Sequence, residues 1–195
     1  MPPLWWGAVA ASLAYLVIVT RGLTGPVRGV KVLPALLLAG VLAPIAPLAA
    51  VGMAFSAAGD AFLLDKARFL LHGLAAFLVG HLLFVPAFIG ASGQWPSPYV
   101  VGILVALATS VTLLVRPRSG VMRVAVPVYA VTLCAMAAAA STLGTLGLVG
   151  GVLFLASDLL LAVNQFKRPI PGRDLLVMST YYGALLTLTA GLLAA

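Results

Sequence analysis

Apolar residues fill this 195-residue chain in eight long runs, roughly 4–20, 30–46, 48–64, 69–90, 98–115, 121–141, 146–164 and 175–194. Short joins with Gly, Pro or basic residues separate the runs. A helix rises 1.5 Å per residue, so about 20 apolar residues cross about 30 Å of hydrocarbon. The pattern predicts an all-α fold, a polytopic membrane helical bundle of eight transmembrane helices. The joins are too short for a soluble domain or a long linker, so residues 1–195 read as a single transmembrane domain. The first run has no basic residue ahead of its apolar core and reads as a retained span, not a signal peptide.

Composition agrees with a bilayer setting. The chain is 63% hydrophobic and 8% charged, with a mean hydropathy of +1.19, which leaves too little polar sequence to clothe a water-facing surface. All 11 basic residues fall at alternate joins. Arg21, Arg28 and Lys31 follow the first run, and Lys66 and Arg68 the third. Arg116, Arg118 and Arg123 follow the fifth, and Lys167, Arg168 and Arg173 the seventh. The positive-inside rule places those joins in the cytoplasm and both termini outside, in a multi-pass protein of the cell membrane. Topology and attraction to anionic headgroups account for the net charge of +7. No nucleic acid partner is called for.

Against this background the four acidic residues stand out. Asp60 and Asp158 lie inside apolar runs, in the related settings GDAFLL (59–64) and SDLLLA (157–162). A carboxylate within a membrane helix costs about 2.5–3.5 kcal/mol on insertion scales, and Leu or Ala would avoid that cost. Asp60 precedes Lys66 by about 9 Å of helix and Asp158 precedes Lys167 by about 14 Å, so both sit in the cytoplasmic half. Ser56, Ser157, Asn164 and Gln165 share that depth. The halves of the chain hint at a duplication. Lys31-Val-Leu-Pro34 opens the second run, Arg123-Val-Ala-Val-Pro127 the sixth, and Asp60 in the third corresponds to Asp158 in the seventh. A parallel 4+4 repeat would bring both carboxylates to one cavity.

The remaining polar residues admit two readings each. His72 and His81 are nine residues apart and face opposite sides of a helix. His81 lies deeper, on the face of Phe77, Phe84 and Phe88, as a packing histidine or a site residue. His72 reads as interfacial. Tyr181 and Tyr182 are packing or ligand-facing residues. Cys134 is a lone apolar packing residue, and neither a disulfide nor Cys/His metal spacing is present.

Four segments, in order, carry a family resemblance. They are Lys31-Val-Leu-Pro34; FSAAGDAFLL (55–64) with Phe69, His72, Gly73, Phe77, His81, Ala87 and Phe88; LFLASD (153–158) with LAVNQF (161–166); and MSTYY (178–182). In this order and spacing the chain resembles the YhhN-type lysoplasmalogenases, across most of its length. The family often has Tyr where Phe84 stands and Gln where Leu185 stands. The resemblance implies an eight-span ether hydrolase that cleaves the vinyl ether bond of lysoplasmalogens to a fatty aldehyde and a glycerophospho-alcohol. The implied partners are a lysophospholipid-type substrate and membrane lipids. The implied site is Asp60 and Asp158 as catalytic residues, with Lys31, His81, Asn164, Tyr181 and Tyr182 binding substrate.

The chemistry fits two carboxyl groups. One donates a proton to the outer alkene carbon, and the other stabilises the oxocarbenium-like cation and orients water. Neither aspartate is fixed in either role. Lys31 is a phosphate partner or a topology charge. Two other classes remain open: a metal-dependent hydrolase, for which histidines on opposite faces are a poor ligand set, and a non-enzymatic lipid or proton-coupled carrier using Asp60 and Asp158. The expectation is catalysis with no metal and no cofactor.

Overall fold

The computed structural model describes residues 1–115, 120–167 and 169–195. Arg116, Arg118 and Arg168, three of the basic residues that mark the joins, lie outside the described residues. Among the described residues the secondary structure is helical, without strands. It comprises α1 (Pro3–Thr20), α2 (Leu33–Leu42), α3 (Pro47–Phe62), α4 (Lys66–Ser92), α5 (Pro98–Val115), α6 (Met122–Ala140), α7 (Gly144–Phe166) and α8 (Arg173–Ala194). Short 3-10 segments lie at Pro26–Val32, Leu63–Asp65 and Ser141–Leu143. The eight helices fall on the eight apolar runs.

Among the described residues four helical stretches are long and apolar enough to cross a membrane: Pro3–Thr20, Pro47–Ser92, Met122–Gln165 and Arg173–Ala194. The chain is accordingly an integral multi-pass membrane protein. The second and third stretches each hold two helices on either side of a 3-10 segment. The largest departure from the expected spans is the second. Its α-helix has only 10 residues, about 15 Å, half of a hydrocarbon core. The reason is local: Pro34 sits in the first turn, where its missing N–H does no harm. Pro44 follows the last turn and cannot prolong the helix. The rest of the run is taken up by the 3-10 segment Pro26–Val32, which carries Lys31.

By its contacts the chain divides into Met1–Ala87 and Phe88–Ala195. The first unit contains α1, α2, α3 and most of α4. Within it, α3 and α4 form an antiparallel hairpin in very close approach. A Cβ on Gly80 would stand 3.0 Å from the Gly52 carbonyl oxygen, and one on Gly52 would stand 2.8 Å from the Phe84 ring. A Cβ on Gly59 would meet the Phe77 ring at 2.6 Å. Small residues matter at such seams because lipid tails are as apolar as the side chains, so contact at short range holds membrane helices together.

The second unit contains the end of α4 and α5 to α8. The same device recurs there: a Cβ on Gly150 would stand 2.6 Å from Leu188 across the α7–α8 seam, and one on Gly151 3.1 Å from the Ala137 Cα on α6. Gly172, at φ +66°, supplies the left-handed residue on which the chain turns into α8.

Candidate active site

In the first unit the site begins with Asp60, near the last turn of α3. Its side chain is 3% exposed, and Lys31 Nζ stands 3.0 Å from Asp60 Oδ1. Lys31 is itself buried. The α-carbon of Lys31 lies at the rim of the expected span, and its long flexible stem carries the ammonium inward to the carboxylate. A buried ion pair recovers part of the desolvation penalty of each member, and loss of one partner typically costs about 3–5 kcal/mol.

Around this pair, Ser56, one turn before Asp60, donates its hydroxyl to the Gly52 carbonyl at 3.1 Å. Phe77 covers Gly59 and stacks on His81, with ring centroids 6.5 Å apart. His81 is fully buried, whereas His72 is exposed, its ring 5.6 Å from that of Phe62 and 5.7 Å from that of Phe69. The nine-residue offset thus separates the histidines onto a buried and an exposed face, as the spacing predicts. Phe84, where the family often has Tyr, is fully buried against Gly52 and serves the seam.

In the second unit Asp158 is half-buried on α7. Tyr129, on α6, donates its hydroxyl to Asp158 Oδ2 at 2.6 Å. The register follows from the α6–α7 seam. Tyr129 lies eight residues from Ala137, and Asp158 seven from Gly151, each about two helical turns along an antiparallel pair that meets at those residues. Ser157 donates to the Val177 carbonyl of α8 at 3.1 Å.

One turn before Asp158, Phe154 makes an edge-on contact with Tyr181 at 5.5 Å, and Tyr181 lies 5.5 Å from Tyr182. Phe154, Tyr181 and Tyr182 are all buried, as is Leu185 at the position where the family often has Gln. Asn164 Oδ1 accepts the Ile170 backbone N–H at 3.0 Å, which fastens the turn from α7 toward α8. Gln165 is exposed.

Each unit therefore holds a carboxylate, Asp60 on α3 and Asp158 on α7, with a polar partner from an earlier element of the same unit. In sequence Asp60 precedes Lys66 by six residues and Asp158 precedes Lys167 by nine. Lys31 as the direct partner of Asp60, and Tyr129 altogether, escaped the sequence reading. Among the described residues no group of three or more His, Cys, Asp or Glu is placed to hold a metal ion.

The family model described as the YhhN family matches residues 27–192, a stretch that includes Lys31, Asp60, His81, Tyr129, Asp158, Asn164, Tyr181 and Tyr182. Human lysoplasmalogenase TMEM86B is 36% identical over 166 residues, 82% of this chain and 72% of that protein. Bovine lysoplasmalogenase TMEM86A is 34% identical over 149 residues, covering 69% of this chain and 60% of the relative, so the chain spans less than two thirds of TMEM86A. A Dictyostelium discoideum lysoplasmalogenase homolog is 29% identical over 159 residues, 63% of this chain and 52% of that protein. No solved structure matches the chain. With the family model covering nearly all of it, this chain belongs to the YhhN family.

Proposed function

We propose that this protein is a lysoplasmalogenase, an ether hydrolase that cleaves the vinyl ether bond of a lysolipid. The observation that carries the reading is a positioned carboxylate in each unit, inside segments apolar enough to sit in a bilayer. The similarity to lysoplasmalogenases TMEM86B and TMEM86A supports the substrate class.

The reaction balances without a cofactor. A carboxylic acid gives its proton to the outer alkene carbon, and the π electrons form the new C–H bond. The adjacent carbon becomes an oxocarbenium ion, which a carboxylate stabilises. Water adds there and loses a proton to a carboxylate. The hemiacetal then collapses to a fatty aldehyde, and the glycerol oxygen leaves as an alcohol. Asp60, salt-bridged to Lys31, suits the anionic role. Asp158, with the Tyr129 hydroxyl, suits proton delivery. In this reading Lys31 serves Asp60 and Asn164 serves the α7–α8 turn. His81 in the first unit and Tyr181 and Tyr182 in the second, all buried, are the residues assigned to substrate binding.

Eight crossings, with the basic joins in the cytoplasm, complete the reading and place the headgroup by those joins. Exposed Trp6 and Tyr99, in the first turns of α1 and α5, and Trp95, in the connection between α4 and α5, support it, because all three lie away from the basic joins, where aromatic side chains favour the opposite interface. Cysteines introduced at Gln94 and Arg68, in a Cys134→Ser background, are expected to label from opposite sides of the membrane. Labelling of both from one side overturns the topology.

The functional test is a mass-spectrometric screen of purified protein against lysoplasmalogens and their ester-linked counterparts. Fatty aldehyde from the vinyl ethers alone is expected. The rival reading, a lipid or proton-coupled carrier, draws on the same buried Lys31–Asp60 pair, since intramembrane ion pairs also serve proton relays. Transport without product would favour it.

A further inference from the structure

Tyr129 is a polar residue that neither the motifs nor the family resemblance singles out. Its hydroxyl reaches Asp158 Oδ2 at 2.6 Å from a different helix. The two helices are locked by the approach of Gly151 to the Ala137 backbone, where a Cβ would stand within 3.3 Å of the Ala137 Cα, Cβ and carbonyl oxygen. A side chain that only filled space at this position would not need a hydroxyl aimed at a carboxyl group.

Protonation of carbon is demanding in direction, because the proton must arrive along the π lobe of the outer alkene carbon. An Asp side chain turns about two torsions, and an unclamped carboxyl would spread its proton over many directions. A hydrogen bond from a ring on a rigid neighbouring helix removes that freedom. It also links the proton affinity of the carboxyl to the strength of the phenolic donor. We infer that Tyr129 is a positioning residue for the reaction, fixing Asp158 in orientation and in its hold on the proton delivered to the substrate. The inference rests on the lysoplasmalogenase reading and adds to it a division of labour, with Asp158 as the acid.

The test compares wild type, Tyr129→Phe and a protein with 3-fluorotyrosine at position 129, all purified in detergent and supplied with a lysoplasmalogen. Tyr129→Phe keeps the ring and removes the donor. Its kcat is expected to fall by up to about 10²-fold, the order that misplacement of a reacting group brings. KM should stay within about twofold, and the solvent deuterium isotope effect on kcat should rise as proton transfer becomes slower. A purely structural tyrosine would lower melting temperature and active fraction together, without changing the isotope effect. The fluorotyrosine protein keeps the ring, the hydroxyl and the bond, so it reports even where Tyr129→Phe fails to fold. Its kcat should change several-fold, because fluorine makes the phenol more acidic while adding little bulk. An active wild type with unchanged kcat in the folded Phe protein, or in the fluorotyrosine protein, overturns the role of Tyr129 and leaves the functional reading intact. A wild type that releases no aldehyde sinks both.

Discussion

Asp60→Asn and Asp158→Asn are each expected to lower aldehyde release by about 10²–10⁴-fold, the usual contribution of one member of an acid/base pair. Asn preserves size and hydrogen-bonding capacity but can neither ionise nor act as a carboxylic acid. The double variant should be little worse than the worse single, because groups that act as a unit lose their effect together. His81→Ala should impair turnover less, and His72→Ala, at an exposed ring, least. The two Asn variants differ in their effect on folding. Asp158 is half-buried, and the Tyr129 hydroxyl can still donate to an Asn carbonyl. Asp60→Asn instead leaves the Lys31 ammonium facing a neutral amide in a buried site. Turnover near wild type in either variant would remove carboxylate catalysis and make a carrier the better account.

The largest effect on stability is expected from Lys31→Met, about 3–5 kcal/mol, because it takes away the ammonium beside a carboxylate that is 3% exposed. Met matches the length of the stem and fills the same space without charge. Lys31→Met combined with Asp60→Asn should recover most of that loss, since no charge is then left without its counter-ion. The double variant should still be inactive, which separates the part Asp60 plays in chemistry from its part in folding. Thermal melting in detergent, read beside aldehyde release, measures both. Equal melting temperatures for wild type and Lys31→Met, or a double variant as unstable as the sum of the singles, would show that the pair contributes little.

Much of this was legible in the sequence because the bilayer simplifies the reading. The positions of all eight helices follow from apolar run length, and Asp60 and Asp158 stand out because a carboxylate is costly among Leu and Ala. The separation of His72 from His81 follows from helical periodicity alone. The second helix was less legible: run length cannot tell an α-helix from a 3-10 segment followed by a shorter helix, and the local effects of Pro26, Pro34 and Pro44 decide that.

The partners of the carboxylates were missed for different reasons. Lys31 sits at the edge of its run and resembles any other basic residue at a join. Only the reach of its stem takes it to Asp60. Tyr129 is an ordinary aromatic residue in an apolar helix, but its depth was readable: about 12 Å from the start of its run, against about 9 Å from the end of the next run for Asp158. What the sequence lacked was the lateral register, which the Gly151–Ala137 seam sets. Asn164 enters as a substrate contact only through the family resemblance, and the sequence does not show that its amide also accepts the Ile170 backbone N–H in the turn after α7.

The central claim is that a proton from the protein reaches the outer alkene carbon of a vinyl ether. It is tested most directly by running purified wild-type protein on a lysoplasmalogen in D2O, trapping the aldehyde as it forms and reading its mass. The account predicts a fatty aldehyde with one deuterium on the carbon next to the carbonyl, released with an equal amount of glycerophospho-alcohol. Aldehyde without that deuterium, or no aldehyde from folded protein, would contradict it.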